Sequence, residues 1–248
     1  MLGIFVALKL EEDCVRAHLS DWKRARRAGG SVASATAGKR QILVCRTGVG
    51  AKAGSIAQAL LAEERLQIGL SLGLCGGLDE SLALGDLCLP SAFRLCEDND
   101  SSAYFPDPGL VALAERAALQ AGLRSVGGDC GTAEIIVGDP QQKRVLKDRF
   151  ALAVVDMETY WVARAAAERQ VPFLAARVVL DGAGDSLPPF DNLLARDGAL
   201  SPAAVLAHVA RHPGDVVSLG SIAWRTRLAR RTLKRFAGAF LGAWSEAA

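Results

Sequence analysis

Four acidic residues stand at or just beyond the ends of apolar runs, where their carboxylates can meet a ligand. Glu11 follows the first run, Asp156 and Glu158 end a later one, and Asp181 ends the next. Acids gathered in one place repel one another unless they bind hydroxyl groups or a metal ion, or have shifted pKa values. Cleavage of a glycosidic bond can use such a set, because it needs an acid at the leaving group and a base near water. Taken singly, each acid could instead be a solvated residue that favours a helix start.

Several other chemistries lack the residues they need. His18, His208 and His212 lie apart from the acids, so neither a transition-metal site nor a Ser-His-Asp triad is expected. The six cysteines show no CxxC spacing and sit mostly in apolar runs, which indicates reduced, buried thiols. We therefore expect no metal and no cofactor.

The composition is typical of a globular protein with a large core. Apolar residues make up 50% of the 248 residues, and the formal net charge of +2 is too small to indicate a nucleic-acid partner. The first apolar run is too short to span a bilayer, and the N-terminus lacks the basic region and cleavage site of a signal peptide. These features predict a cytoplasmic protein.

Strand-like and helix-like segments alternate along the chain, which predicts an α/β fold with a mainly parallel sheet. The predicted strands are Leu2–Leu8, Gln41–Arg46, Ile68–Leu74, Gly85–Pro90, Ser125–Val137, a run that begins at Val154, and Phe173–Leu180. The predicted helices are Ala51–Glu64, Pro108–Ala121, Asp139–Arg149 and Glu158–Arg169, and the stretch Gly29–Lys39 predicts a hairpin or loop. Ligands of such sheets bind beyond the carboxyl ends of the strands, which is where the acids are expected.

Two glycine turns follow predicted strands, "TGVG" at Thr47–Gly50 and "CGG" at Cys75–Gly77. Glycine at a strand-to-helix turn lets a ligand approach backbone N–H groups, although an ordinary tight turn explains "TGVG" equally well. Neither turn has the spacing of a dinucleotide-binding or P-loop fingerprint. The sequence therefore predicts neither a dinucleotide nor ATP.

Three segments together resemble the nucleoside phosphorylase/nucleosidase superfamily, which includes purine nucleoside phosphorylases and methylthioadenosine/S-adenosylhomocysteine nucleosidases. They are "GVGAKAGSIAQALL", "GLCGGLDESLALGDLCLP" and "VVDMETYWVARAAAERQVPFLAARVVLD". The resemblance runs from about residue 2 to 185. It implies a three-layer αβα sandwich around a twisted, mixed, mainly parallel sheet. Residues 1–185 would form the core, and residues 186–248 a C-terminal helical extension of the same domain.

The resemblance also implies roles in the cleavage of an N-ribosidic bond. Asp181 would donate a proton toward N7 of the departing purine, and burial would favour the protonated form that this step needs. Glu158 would hold the ribose hydroxyls, with Met157 against the sugar and Asp156 beside them. Glu11 would lie near the attacking water. The rest of the implied pocket consists of Val49 and Gly50 beside the ribosyl group, Cys75 and Gly76 on the base and ribose side, and Ile135 and Ile136 over the base.

Water is the favoured nucleophile, with inorganic phosphate as the alternative co-substrate. Phosphorylases of the superfamily usually carry an arginine where this chain has Ser71. Arg46 could serve instead, but we interpret it as a surface or subunit-contact residue. Leu74 and Leu180 replace hydroxyl residues of many relatives, so the expected pocket is more apolar than that of a methylthioadenosine enzyme.

The C-terminal third most resembles the hopanoid-associated phosphorylase branch, whose implied substrate is adenosylhopane. The alternatives are a methylthioadenosine/S-adenosylhomocysteine or futalosine nucleosidase, a phosphorylase, or a catalytically silent nucleoside-binding protein. Large apolar residues recur at about helical spacing over Trp224–Trp244, with basic residues between them. This pattern fits a helix that lies on an anionic membrane or, as we prefer, a helix whose apolar stripe packs on the sheet. The resemblance further implies a homodimer or higher homo-oligomer.

Overall fold

A computed structural model describes residues 1–27, 29–97, 102–187 and 216–246. Its strands are β1 Leu2–Val6, β2 Ser20–Arg27, β3 Gly30–Ala37, β4 Arg40–Arg46, β5 Ile68–Gly77, β6 Leu87–Cys88, β7 Phe93–Leu95, β8 Ala103–Tyr104, β9 Ser125–Val126, β10 Asp129–Thr132, β11 Leu152–Asp156 and β12 Phe173–Asp181. Its helices are α1 Lys9–Arg16, α2 Lys52–Glu63, α3 Pro108–Gln120, α4 Pro140–Phe150, α5 Thr159–Glu168 and α6 Val216–Glu246.

The strands form one branched sheet in the order β2-β3-β4-β1-β5-β11-β10-β7-β8. Strand β1 is buried along its whole length and pairs in parallel with β4 and β5. Strand β5 also pairs in parallel with β12 and, at its last glycines, antiparallel with β11. The mixed, mainly parallel sheet that the sequence predicted is therefore confirmed.

Helices cover both faces of this sheet. On one face, apolar residues of α1, α3 and α6 pack against β1, β4, β5 and β12. On the other face, α2 and α5 pack against the opposite side of the same strands. This arrangement confirms the three layers, and it explains why the central strands read as continuous apolar runs.

Two predicted segments differ from the structure. The stretch predicted as a hairpin or loop contains β3, which pairs antiparallel with both β2 and β4, so backbone pairing on two edges makes it a strand despite its small side chains. The predicted strand Ser125–Val137 is two short strands, β9 and β10, separated by a left-handed Gly128 with φ of 114°. Its last residues, including Ile135 and Ile136, leave the sheet and reach the cavity described below.

The apolar stripe of α6 packs on the core, which agrees with the preferred interpretation of this segment. Phe236, Phe240 and Trp244 are buried against the sheet, and the Arg40 guanidinium lies 3.8 Å from the centre of the Trp244 ring. Trp224 is the exception, with 62% of its surface exposed. In the described part of the chain, no helix combines the length and apolar character needed to cross a bilayer. Residues 188–215, which make up most of the predicted extension before α6, lie outside the described residues.

Candidate active site

A cavity of about 410 Å³ opens where β1, β5, β11 and β12 end. Its lining includes the residues predicted for the site, namely Glu11, Val49, Cys75, Gly76, Ile135, Ile136, Asp156, Met157, Glu158 and Asp181. Gly50, the remaining predicted residue, contacts the lining through a hydrogen bond to Glu158. The strand ends thus bring together side chains that are up to 170 positions apart in the sequence, at the place where ligands of such sheets bind.

Asp156 is held by the protein from several sides. Its Oδ1 accepts a hydrogen bond of 2.8 Å from the Thr132 hydroxyl, and both oxygens accept from the Thr159 backbone N–H at 3.2 and 3.0 Å. Oδ2 also accepts from the Thr159 hydroxyl and, at 2.8 Å, from Arg177 Nε. The carboxylate thereby starts α5 and fixes the neighbouring Met157 and Glu158 at the cavity wall.

Arg177 is a buried cation for which the sequence predicted no role. It lies on β12 with 2% of its surface exposed, and its Nη2 donates a 2.8 Å hydrogen bond to Ser71 Oγ. Burial alone would lower the pKa of Arg177, but the adjacent Asp156 carboxylate raises it. The signal for this residue was present in the sequence, because a charged side chain interrupts an apolar strand run only when it has a buried partner.

The glycine turn predicted beside the ribose positions Glu158. Gly48 and Gly50 have φ values of 78° and 81°, a left-handed conformation that other residues adopt at a cost. The turn directs the Gly50 backbone N–H to Glu158 Oε1 at 3.0 Å. Burial and the charge of Asp156 raise the pKa of Glu158 to about 8. Hydroxyl groups of a bound ligand that donate hydrogen bonds to this carboxyl group would lower its pKa again and favour the ionised form.

Glu11 lies in α1 rather than at the end of β1, and its carboxylate is bound by backbone N–H groups. Oε2 accepts from Ala7 and Leu8 at 2.8 and 2.9 Å, and Oε1 accepts from Leu74 at 3.0 Å. A side chain at Gly73 would stand 3.0 Å from Oε1, so glycine there allows the close approach. Burial raises the pKa of Glu11, although these N–H groups oppose the shift.

A second cavity, of about 10 Å³, is lined in part by Glu11, Glu158 and Arg177 and shares the two glutamates with the main cavity. Its volume is roughly that of one water molecule, and its polar lining could satisfy the hydrogen bonds of one. Ser71 and Thr47 complete that lining. The site can therefore hold water next to two carboxyl groups.

Asp181 ends β12 and is 2% exposed. Its Oδ2 accepts a hydrogen bond from the ammonium of Lys143, a residue of α4 that was not among the predicted site residues. Burial raises the pKa of Asp181 even though Lys143 opposes the shift, which favours the protonated form of the acid. The next acid, Asp185, binds Arg225 of α6 at 2.9 Å, so α6 is tied to this corner of the cavity.

The remaining wall is mostly apolar. Burial raises the pKa of Cys75 well above that of a free thiol, so this cysteine presents a neutral, apolar surface. Leucines, isoleucines and valines from several elements complete the wall, namely Leu8, Leu10, Val49, Leu74, Ile135, Ile136, Val137, Val155, Leu180, Leu187 and Ile222. Within the described ranges, no group of three or more His, Cys, Asp or Glu residues is arranged to hold a metal ion.

Arg46, the alternative phosphate ligand, faces another acid. Its Nε lies 3.3 Å from Glu12 Oε2, and Arg24 contacts the other oxygen of Glu12 at 2.6 Å. Arg46 is absent from the lining of the main cavity. The Arg46 side chain is 18% exposed, so it is partly buried rather than on the surface, and its interpretation as a subunit-contact residue stays a prediction.

This fold and site define an α/β enzyme whose acids surround a ligand cavity at the carboxyl ends of its strands. The chain belongs to the phosphorylase superfamily, whose family model matches residues 1–211. Among curated relatives, the 5′-methylthioadenosine/S-adenosylhomocysteine nucleosidase of Shewanella loihica is 26% identical over 228 residues, which cover 84% of this chain and 99% of that protein. The enzyme of the same name from Shewanella oneidensis is 29% identical over 192 residues, 71% of this chain and 81% of that protein. These relatives confirm the prediction that the chain is an enzyme.

Solved structures share the fold over nearly the whole chain. Futalosine hydrolase of Helicobacter pylori superposes with a TM-score of 0.77 at 16% identity and covers 97% of both chains. The 5′-methylthioadenosine/S-adenosylhomocysteine nucleosidase of Neisseria meningitidis, in complex with methylthio-immucillin-A, gives 0.77 at 15% identity over 96% of this chain and 97% of that chain. At such identities the likeness establishes the architecture and leaves the substrate to be argued from the site.

Proposed function

We propose that this enzyme hydrolyses the N-ribosidic bond of an adenine nucleoside that carries a bulky apolar 5′ substituent, and releases the free base. The observation that carries the proposal is the convergence of Glu11, Glu158 and Asp181 on one cavity whose remaining wall is mostly apolar. The curated relatives support it, because those proteins are nucleosidases of 5′-substituted adenosines by name.

Each acid has a separate task in this proposal. Asp181 is the general acid, since its raised pKa keeps a proton available for N7 of the leaving purine. Glu158 accepts hydrogen bonds from the ribose hydroxyls and fixes the sugar against Met157. Glu11 orients the attacking water, for which the small cavity beside it has room. Asp156 supports the ribose site by anchoring the start of α5.

Water is preferred over phosphate because no arginine lines the main cavity, and Arg177 beside the small cavity is already bound to Asp156 and Ser71. The position of the phosphate-binding arginine of phosphorylases is held by Ser71, which accepts from Arg177, while Arg46 pairs with Glu12. The apolar wall favours a large hydrophobic 5′ group over a methylthio group. Together with the resemblance of the C-terminal third to the hopanoid-associated branch, this wall makes an adenosylhopane-like lipid nucleoside our preferred substrate, and methylthioadenosine, S-adenosylhomocysteine and futalosine are the alternatives.

The decisive experiment offers the purified protein a panel of nucleosides, with and without inorganic phosphate, and detects free base by chromatography. We expect adenine release without phosphate, and a kcat/KM that rises with the apolar size of the 5′ group. Asp181→Asn should lower kcat about 10²–10⁴-fold, whereas Asp148→Asn, an exposed acid of α4, should leave it unchanged. Strict phosphate dependence would replace hydrolysis by phosphorolysis, and full activity of Asp181→Asn would defeat the acid assignment.

A lipid nucleoside would require the enzyme to approach a bilayer, and α6 offers a surface for peripheral contact. Trp224 is exposed, as are basic side chains further along the same helix, Arg227, Arg230, Arg231, Lys234 and Arg235. The buried half of α6 makes truncation a poor test, so we suggest co-sedimentation with anionic vesicles of the parent, Trp224→Ala and Arg227→Glu. Weaker binding by both variants is expected. Unchanged binding by the variants, or no binding by the parent, would contradict the membrane contact.

The homo-oligomer is a separate expectation that light scattering can test.

A further inference from the structure

Lys143 is a buried lysine on a helix that otherwise lies at the surface. It is fully buried, and it is the one residue of α4 in that condition. Lysine is seldom buried without a partner, because a charge that leaves water loses its favourable hydration. The side chain must therefore be held by groups that compensate for this cost.

Three acceptors surround the Lys143 nitrogen. Nζ donates a short hydrogen bond to Asp181 Oδ2, one of 2.7 Å to the Gly182 carbonyl and one of 3.0 Å to the Asp185 carbonyl. An ammonium has three N–H donors, so the set of acceptors matches the charged form. Asp181 Oδ1 receives no hydrogen bond from the described residues, and it is the oxygen left for a ligand.

The other groups that face Asp181 do not replace this cation. Arg225 of α6 is bound to Asp185, the acid that follows β12, and these opposite charges largely offset one another. Cys75 of β5 is a neutral thiol at this depth. Lys143 of α4 is thus the cation in direct contact with the carboxyl group.

We propose that Lys143 is a positioning residue for base release, holding Asp181 by Oδ2 and stabilising the carboxylate that remains when the proton leaves. The inference rests on the proposed function. In the step, the O–H bond at Asp181 Oδ1 breaks, an N–H bond forms at N7 of the purine, and the electron pair of the C–N bond moves to the base. The water beside Glu11 bonds to the ribosyl carbon that the base leaves, and the proton that this water loses passes to the Glu11 carboxylate. Lys143 keeps all its protons, so the new carboxylate forms beside an existing ammonium.

The test compares the pH dependence of kcat for the parent, Lys143→Met and Lys147→Met. Lys147 lies one turn along α4 in a partly exposed ion pair with Asp79, which makes it a matched control. For Lys143→Met we expect kcat on the low-pH plateau to fall about 10-fold or more, because the carboxylate loses its counter-charge. We also expect the alkaline limb to move up by about one pH unit or more, because Asp181 then keeps its proton to higher pH. The control should match the parent in both respects.

A lowered rate with an unmoved alkaline limb would reduce Lys143 to a structural contact and overturn the inference. Should Lys143→Met fail to fold, Lys143→Gln keeps two hydrogen-bond donors without the charge, and the same limb shift is required of it. In the Asp181→Asn background, Lys143→Gln should lower kcat no further, whereas independent effects would also overturn the inference. A parent protein that releases no base from any nucleoside would instead refute the proposed function.

Discussion

Replacing Arg177 by methionine tests how far the buried ion pair with Asp156 supports the molecule. The two side chains are 2% and 1% exposed and meet at 2.8 Å, so solvent screens their interaction little. Methionine fills a similar length of the core but leaves the Asp156 carboxylate without its counter-charge. The Ser71 hydroxyl also loses its donor.

Breaking a buried pair by removing one partner costs about 3–5 kcal/mol. For a domain of this size, each kcal/mol lowers the melting temperature by about 2–4 °C, which gives an expected fall of about 6–20 °C. Scanning calorimetry of the ligand-free protein measures it. The matched control is Arg164→Met, which removes an exposed pair with Glu168 and should change the melting temperature by less than about 2 °C.

A double variant, Arg177→Met with Asp156→Asn, separates the loss of a pair from the exposure of a charge. Asparagine accepts hydrogen bonds at a helix start as aspartate does, so α5 should keep its first turn. The double variant should therefore melt above Arg177→Met alone, because no unpaired charge remains. A single variant that melts within about 2 °C of the parent would refute the reasoning, as would a double variant that melts below the single one.

Three further changes test other parts of the structure. The pKa of Glu158 is raised from 4.5 to about 8, so between these pH values the folded protein keeps a proton that the unfolded chain has lost. Stability therefore falls as pH rises through this range. The plot of melting temperature against pH, from pH 5 to 9, should be flatter for Glu158→Gln than for the parent. Phe240→Ala empties a fully buried position of α6 and should cost about 3–5 kcal/mol in urea unfolding, whereas Trp224→Ala should cost less than about 0.5 kcal/mol. Gly73→Ala places a methyl group 3.0 Å from Glu11 Oε1 and should lower kcat about 10-fold or more, and an unchanged rate would contradict the positioning of Glu11.

Local signals predicted most helices and central strands to within a few residues. Helix α4, for example, starts after Asp139, whose side chain accepts from the Gln141 and Gln142 backbone N–H groups, and Pro140 occupies its first position. Strand β2 carries five charged residues in eight and has no comparable signal. It forms because its backbone pairs with β3, and such pairing leaves no trace in side-chain periodicity.

The site was predictable where chemistry follows strand ends and unpredictable where it depends on packing. Asp156 and Asp181 could be placed because each is the last residue of a strand, and Glu158 because it follows Asp156 by two residues. The antiparallel pairing of β11 with β5 was not evident from the sequence. Nothing local marks Lys143 as the buried lysine of this helix, since Gln142 and Arg144 flank it, whereas Lys147 follows two apolar residues. Only the approach of α4 to the turn after β12 decides which of the two is buried.

The cavity touches α6 as well as the strand ends, through Ile222 and Thr226. A molecule that binds there makes contacts that exist only while α6 is docked, so binding and docking are thermodynamically linked. At a concentration of 100 Kd, such a ligand would add about 2.7 kcal/mol to the folded state. Amide hydrogen exchange along α6 would therefore slow on binding, and the helix would report occupancy of the cavity without any measurement of turnover.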